Sequence, residues 1–211
     1  MTALPQENLY QRPEYPVLVV ISGPSGVGKD TIARQLIATQ PQKFHFVVTA
    51  TTRPPRVGEV EGYDYFFVTS DQFAAMIEND ELLEYAVVYN DYKGIPKQQI
   101  RDALDSGRDV IMRLDIQGAA TVRKLIPNCI SIFLVAESEA SLLQRLQERK
   151  SETPEGLNLR IATARQEMKQ VQAFDYCVVN AAGRQEETVD RILAIVKAAH
   201  SRVHQHPVRL K

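Results

Sequence analysis

Five short stretches of the chain are apolar almost without interruption: Val17–Ser22, Phe46–Thr49, Asp109–Leu114, Ser131–Val135 and Tyr176–Val179. They are rich in Val and Ile and do not alternate with polar residues, the pattern of strands buried on both faces of a parallel sheet. Apolar residues at helical spacing recur between them, over Lys29–Thr39, Gly118–Leu125, Glu139–Arg149, Leu157–Gln170 and Glu186–Val203. Strands alternating with helices imply right-handed crossovers and an open α/β sheet of about five strands covered by helices.

Two stretches interrupt the alternation. From Ala50 to about Gln99 the chain runs through a Pro/Arg-rich segment, an aromatic strand "YDYFFV", a short helix around Gln72–Asn79 and a second strand "LLEYAVVY". These read as a small mixed insertion with its own sheet. The other interruption, "ERKSETPEG", places Pro154 and Gly156 between two Arg-bearing helices and reads as a charged, mobile loop. The resulting division is a frayed lead-in over 1–15, a core over 16–49 and 100–211, an insertion over 50–99, and a lid region over 139–170 within the core.

Composition narrows the function classes. Lys and Arg number 25 against 26 Asp and Glu, a net charge of −1, which argues against a sequence-independent grip on nucleic acid. The longest apolar runs, "VLVVI" and "ISIFLVA", are strand-sized and too short to cross a membrane. The N-terminal "MTALPQENLYQRPEY" lacks a signal pattern, and Cys129 and Cys177 sit far apart in apolar runs as two buried, reduced thiols. A cytoplasmic enzyme is the expectation. The tail after Ala199 carries His200, His204 and His206, which read as solvated rather than metal-binding. Oligomeric state is left open.

The first chemical motif is "GPSGVGKDT", Gly23–Thr31, which follows a predicted strand and opens a predicted helix. That is the context of a phosphate-binding P-loop of the form G-x-x-x-x-G-K-S/T. Across Gly23, Pro24, Ser25, Gly26, Val27 and Gly28 the backbone N–H groups (Pro24 has none) would turn inward on phosphate oxygens, and Lys29 would reach the outer phosphates. The residue after the lysine is Asp30, with Thr31 one place late. A first-turn carboxylate gains roughly 0.3–1 kcal/mol from the helix dipole. Facing a bare phosphate at about 4 Å it would be repelled by ~1 kcal/mol in water and ~4 kcal/mol at an effective dielectric near 20. Asp30 is therefore expected to face either solvent or Mg²⁺ and its waters. The second motif is "TATTRPPRVGEVEGYDYFFV", where Arg53 and Arg56 flank two prolines that stiffen the loop beside Thr49 and Tyr65, a cradle suited to a phosphate monoester.

These two motifs, with "ELLEYA", "LDIQGA" and "RLQER…ETPEGLNLR" in the same order, resemble guanylate kinase, the nucleoside monophosphate kinase family that phosphorylates GMP. The resemblance spans about Val17 to Arg191. It implies ATP and GMP as substrates, Mg²⁺ as cofactor, and transfer of the γ-phosphate of ATP to GMP. By resemblance, Lys29 and the loop hold ATP phosphates, and Asn180 lies beside the adenine. Thr49, Arg53, Arg56 and Tyr65 hold the GMP phosphate with Glu59 orienting the arginines, and Glu84 accepts from guanine N1–H and the 2-amino group. Arg145, Arg149 and Arg160 close over the transferring phosphoryl, and Asp115 is a magnesium-water ligand. Asp115 also fits a helix cap, and Arg145 with Arg149 fits a solvated helix face.

The sequence departs from the family pattern around the acceptor. Where the family has Tyr-Gly-Ser/Thr, this chain has Lys93-Gly94-Ile95, and an acid two residues before Asp115 is replaced by Arg113. Lys93 offers the phosphate a point charge, whereas Ile95 has no hydroxyl for guanine O6. These changes make the acceptor site more cationic and its reading of the base less complete. The Lys29-Asp30 pair is similar to ribose 1,5-bisphosphate phosphokinases, so a sugar-phosphate acceptor is the alternative. A catalytically dead binding scaffold is the alternative of another class; retention of Lys29, Arg145, Arg149 and Arg160 argues against it.

Overall fold

The structure is a computed structural model that describes residues 14–88, 90–148 and 154–208. In chain order the elements are β1 (Leu18–Ser22), α1 (Lys29–Thr39), β2 (Phe44–Phe46), β3 (Ala50–Thr51), β4 (Phe66–Phe67), α2 (Ser70–Glu78), β5 (Leu82–Val88) and β6 (Asp91–Pro96). They continue with α3 (Lys97–Asp105), β7 (Asp109–Arg113), α4 (Ile116–Leu125), β8 (Ile130–Val135), α5 (Glu139–Gln147), α6 (Pro154–Met168), β9 (Tyr176–Val179) and α7 (Gln185–His200). A 3₁₀ turn, Lys169–Ala173, follows α6.

The five apolar runs form one parallel sheet in the order β2-β7-β1-β8-β9. Alternate side chains of β1 feed two cores. Val19 and Ile21 pack with α1 and α7 through Ile32, Leu36, Ile192 and Val196, while Leu18 and Val20 pack with α3 and α4 through Ile100, Ala103 and Val122. Each fully buried aliphatic side chain contributes roughly 1.5–3 kcal/mol. The central position of β1 sets the P-loop over the carboxyl end of the sheet, where β7 and β8 also end.

The first interruption of the α/β pattern becomes a mixed four-stranded sheet, β4-β3-β6-β5, in which β3–β4 is parallel and β3–β6 and β5–β6 are antiparallel. Its inner face closes over Phe73, Ala50 and Leu82. α2 starts in a complete capping box, Thr69 accepting from Gln72 N while the Gln72 side chain accepts from Thr69 N.

Several expectations are corrected. β2 lies at Phe44–Phe46 rather than Phe46–Thr49, because Phe44, His45 and Phe46 pair with Asp109, Val110 and Ile111 before the chain crosses to the other sheet. Val47, Val48 and Thr49 are apolar or small because that crossing is buried. Cys129 is buried, but Cys177 is exposed, since it sits on the edge strand β9. His200 is no part of a solvated tail: it ends α7, and its Nε2 lies 2.8 Å from Oδ2 of the buried Asp109, whose Oδ1 accepts from Val17 N. Glu139–Arg149 shortens to α5 at Gln147, and Arg149 lies outside the described residues.

Candidate functional site

Gly23 and Gly28 allow the loop its shape. Both have positive φ, 139° and 92°. A Cβ on Gly23 would come 2.3 Å from Leu134 O in β8, and one on Gly28 would come 2.6 Å from Asn180 Nδ2, so neither position accepts a side chain. Val27 is buried, and its carbonyl accepts from Asn180 Nδ2 at 2.8 Å. Asn180 is itself buried and takes the Thr188 hydroxyl on Oδ1. Its side chain thus supports the loop from within the protein.

Lys29 opens α1, and its Nζ donates to Gly23 O at 2.6 Å and Pro24 O at 3.0 Å. Burial pulls its pKa down to about 8, against the opposing pull of Glu167 and Asp30. Glu167, on α6, was not singled out from the sequence. Its Oε2 accepts from Ser25 N at 3.1 Å, and burial raises its pKa while Lys29 opposes the shift. A Glu in the polar helical stretch Arg165–Gln170 gives no sequence signal of such a contact.

Asp30 follows neither expected course alone. It is half-exposed, and Oδ1 accepts from Arg113 Nη1 at 2.8 Å. Arg113 is accordingly no unopposed added positive charge. Thr31 is exposed on the first turn of α1.

Across the cleft, the Pro/Arg-rich loop is organised by one carboxylate. Glu59 accepts from Arg53 Nη1 and Nη2 at 2.7 and 2.6 Å and from Arg56 N at 2.7 Å. Burial alone would raise its pKa, but these three donors hold it below the ordinary carboxylate value. The Arg53 guanidinium, buried, lies 4.8 Å from the Tyr65 ring centre. Lys93 Nζ lies 5.8 Å from the same ring, its pKa lowered by burial while Asp115 opposes the shift.

Glu84 on β5 stands opposite Ile95 on β6 and faces the start of α4. Burial, reinforced by Asp115, raises its pKa from 4.5 to about 7. A Cβ on Gly118 would meet Glu84 Oε2 at 3.2 Å, so the glycine leaves room for the carboxylate. Asp115 is the N-cap of α4, its Oδ1 accepting from Gly118 N at 2.9 Å.

One cleft gathers most of the sequence-predicted residues. Ser25, Gly26, Gly28, Lys29 and Asp30 line one end, and Thr49, Arg56, Tyr65, Glu84, Lys93, Gly94 and Ile95 the other, with Asp115, Arg113, Arg160 and Glu167 between. Arg145 is held at the corner of the loop, donating to Glu137 at 2.7 Å and Asn180 O at 2.9 Å. Arg53 and Glu59 stand behind the cleft wall rather than on it.

A family model described as guanylate kinase matches residues 15–199. The chain belongs to the guanylate kinase family. Guanylate kinase 2, chloroplastic/mitochondrial, of Oryza sativa subsp. japonica is 52% identical over 199 residues, covering 94% of this chain and 70% of that protein. The guanylate kinase of Halalkalibacterium halodurans is 44% identical over 184 residues, covering 87% and 89% of the two chains. Among solved structures, the guanylate kinase of Anaplasma phagocytophilum matches with a TM-score of 0.73 at 30% identity, covering 90% of this chain and 89% of its own. The five-stranded parallel α/β fold is that of the family.

Proposed function

We propose that this member of the family transfers the γ-phosphate of ATP to GMP, giving ADP and GDP. The observation that carries the reading is the single cleft, which joins Lys29 and the P-loop amides at one end to Tyr65, Lys93 and Glu84 at the other. The loop amides and Lys29 hold the donor phosphates. Thr49, Arg56, Tyr65 and Lys93 receive the acceptor phosphate, with Arg53 held behind Tyr65 by Glu59. Glu84, when ionised, accepts from guanine N1–H and the 2-amino group and repels the acceptor N1 of adenine. Ile95 offers no side-chain donor to O6; leaving that oxygen unpaired costs about 1–3 kcal/mol of guanine discrimination.

An acceptor phosphate is already ionised, so transfer needs positioning and charge neutralisation more than a general base. Arg145, Arg149 and Arg160 supply the neutralising charge, and closure of the insertion and lid excludes water. Mg²⁺ typically binds one or two carboxylates, waters and substrate phosphates rather than a protein cage. The residues fit that habit in that Asp115, a carboxylate, borders the cleft between its two ends. When bound, the ion would supply charge neutralisation on the phosphates, and Asp115 would hold one of its waters. Both cysteines are free thiols, which supports a reducing compartment such as the cytoplasm. No described helix is long and apolar enough to cross a membrane.

The test is an ADP-release assay with GMP, dGMP, IMP, AMP and ribose 1,5-bisphosphate as acceptors. GMP should give the highest kcat/KM. Equal turnover of AMP would remove Glu84 as a base-reading residue, and a lead for ribose 1,5-bisphosphate would transfer the reading to a sugar phosphate.

A further inference from the structure

The sequence presents Asp30 and Arg113, 83 residues apart, as departures near the phosphates with no stated contact, and the structure pairs them directly. Arg113 closes β7 with its side chain only 6% exposed. Nη1 donates to Asp30 Oδ1 at 2.8 Å, and Nη2 donates to the backbone oxygen of Asp64 at 2.9 Å. The guanidinium lies 4.4 Å from the Tyr65 ring centre and 5.5 Å from that of Phe46. Asp64 is 3% exposed and is fixed in turn, accepting from Val60 N at 2.8 Å and pairing with Arg34 of α1.

We propose that Arg113 is a positioning residue for the acceptor phosphate, acting through Tyr65, with Asp30 of the P-loop helix as its counter-charge. This rests on the reading of the cleft as a site for two phosphate-bearing substrates. A nearly dry cation is costly unless opposed by a carboxylate, and Asp30 opposes it. A planar guanidinium donates in two directions while lying against a ring, which an ammonium does not do. The P-loop helix, the end of β7 and the Asp64-Tyr65 segment are thereby locked together, so the ring is placed relative to the donor loop by the core.

The experiment uses the full chain, with KM for ATP and for GMP, kcat and Tm measured on wild type, Arg113→Met, Arg113→Lys, Asp30→Asn and the Asp30→Asn/Arg113→Met double variant. Losing the charged hydrogen bonds in Arg113→Met should raise the GMP KM about tenfold or more while the ATP KM stays within about twofold. Arg113→Lys, which keeps the charge but loses the Asp64 bond and the planar contact, should raise the GMP KM about threefold with the same split. In the Asp30→Asn background, Arg113→Met should raise it by about threefold or less, since the partner is already gone. An unchanged GMP KM in Arg113→Lys, ATP and GMP KM rising together, or full additivity in the cycle overturns the proposal. Should Arg113→Met fail to fold, the Arg113→Lys split decides alone. The cleft reading is judged separately by wild-type turnover: if another acceptor phosphate is preferred, the same split is read with that acceptor, and if none is turned over, both readings fall.

Discussion

On the proposed reading, in which Glu84 accepts from the base, base recognition is a function of pH. Its carboxyl titrates near 7 instead of 4.5, because it is buried and because Asp115 stands close by. A raised pKa means that the ionised, double-acceptor form is complete only above neutrality. About nine tenths is ionised at pH 8 and about one tenth at pH 6, so kcat/KM for GMP should fall about tenfold per unit on the acid side. The fall should level off once the carboxyl is neutral, about 10- to 100-fold down, the worth of charge-assisted bonds to the base. The assay is kcat/KM for GMP at saturating ATP between pH 5.5 and 8.5. The acceptor phosphate ionises near about 6 and adds its own limb, so the decisive comparison is Asp115→Asn. Asparagine also caps helices well, so α4 keeps its start. Removing that negative charge should move the limb toward lower pH, though not as far as 4.5, since burial is the larger cause. A limb that stays in place, or a profile flat down to pH 6, refutes the reasoning. Stability runs the opposite way: the folded protein resists ionising Glu84, so Glu84→Gln should melt higher than wild type above pH 7, and the gap should vanish as pH falls below 4.5.

Lys29→Met should abolish transfer with the fold intact by circular dichroism, and kcat/KM for ATP in the wild type should decline as pH rises through about 8, where Lys29 loses its proton. Because Glu167 raises the Lys29 pKa, Glu167→Gln should move that decline to lower pH; a decline that stays put removes Glu167 from the loop's electrostatics. Glu59→Gln gives up at least one charge-assisted bond from Arg53, about 1.5–3 kcal/mol, and should lower Tm by about 4–10 °C at pH 7. The lowered pKa of Glu59 means its contribution is present above 4.5 and lost as pH falls through the folded value, so the Tm gap should close in acid; a gap that persists there contradicts the pairing.

The sheet was readable because strands buried on both faces leave continuous Val/Ile runs, and β1, β7 and β8 sit within a residue or so of those runs; β9 is an edge strand with Cys177 and Val179 exposed, and was readable only from its apolar composition. β6 was invisible for the opposite reason. "DYKGIP" carries Asp, Lys, Gly and Pro, and it is a strand because its neighbours β3 and β5 pair with it. α3 offered only Ile100, Ala103 and Leu104 as an apolar stripe behind Pro96, a pattern too short to stand out. In the site, motif order marked the cleft's two ends. What stayed hidden was pairing over long separations, Asp30 with Arg113 and Glu167 with Ser25 N, because separate charges in a sequence do not announce their partners.

The small sheet leaves the core after β2 and returns through β6 into α3, so residues 50–96 form one continuous cassette. Tyr65, Glu84 and Lys93 all travel on it, whereas Asp30, Arg113, Asp115 and Gly118 stay behind in the core. A cassette exchanged between relatives would therefore arrive with its own contacts for the acceptor but inherit the host's Asp30–Arg113 pair beneath its tyrosine and the host's glycine beside its glutamate. The four host positions, more than the junctions of the segment, are therefore what such a chimera would have to match.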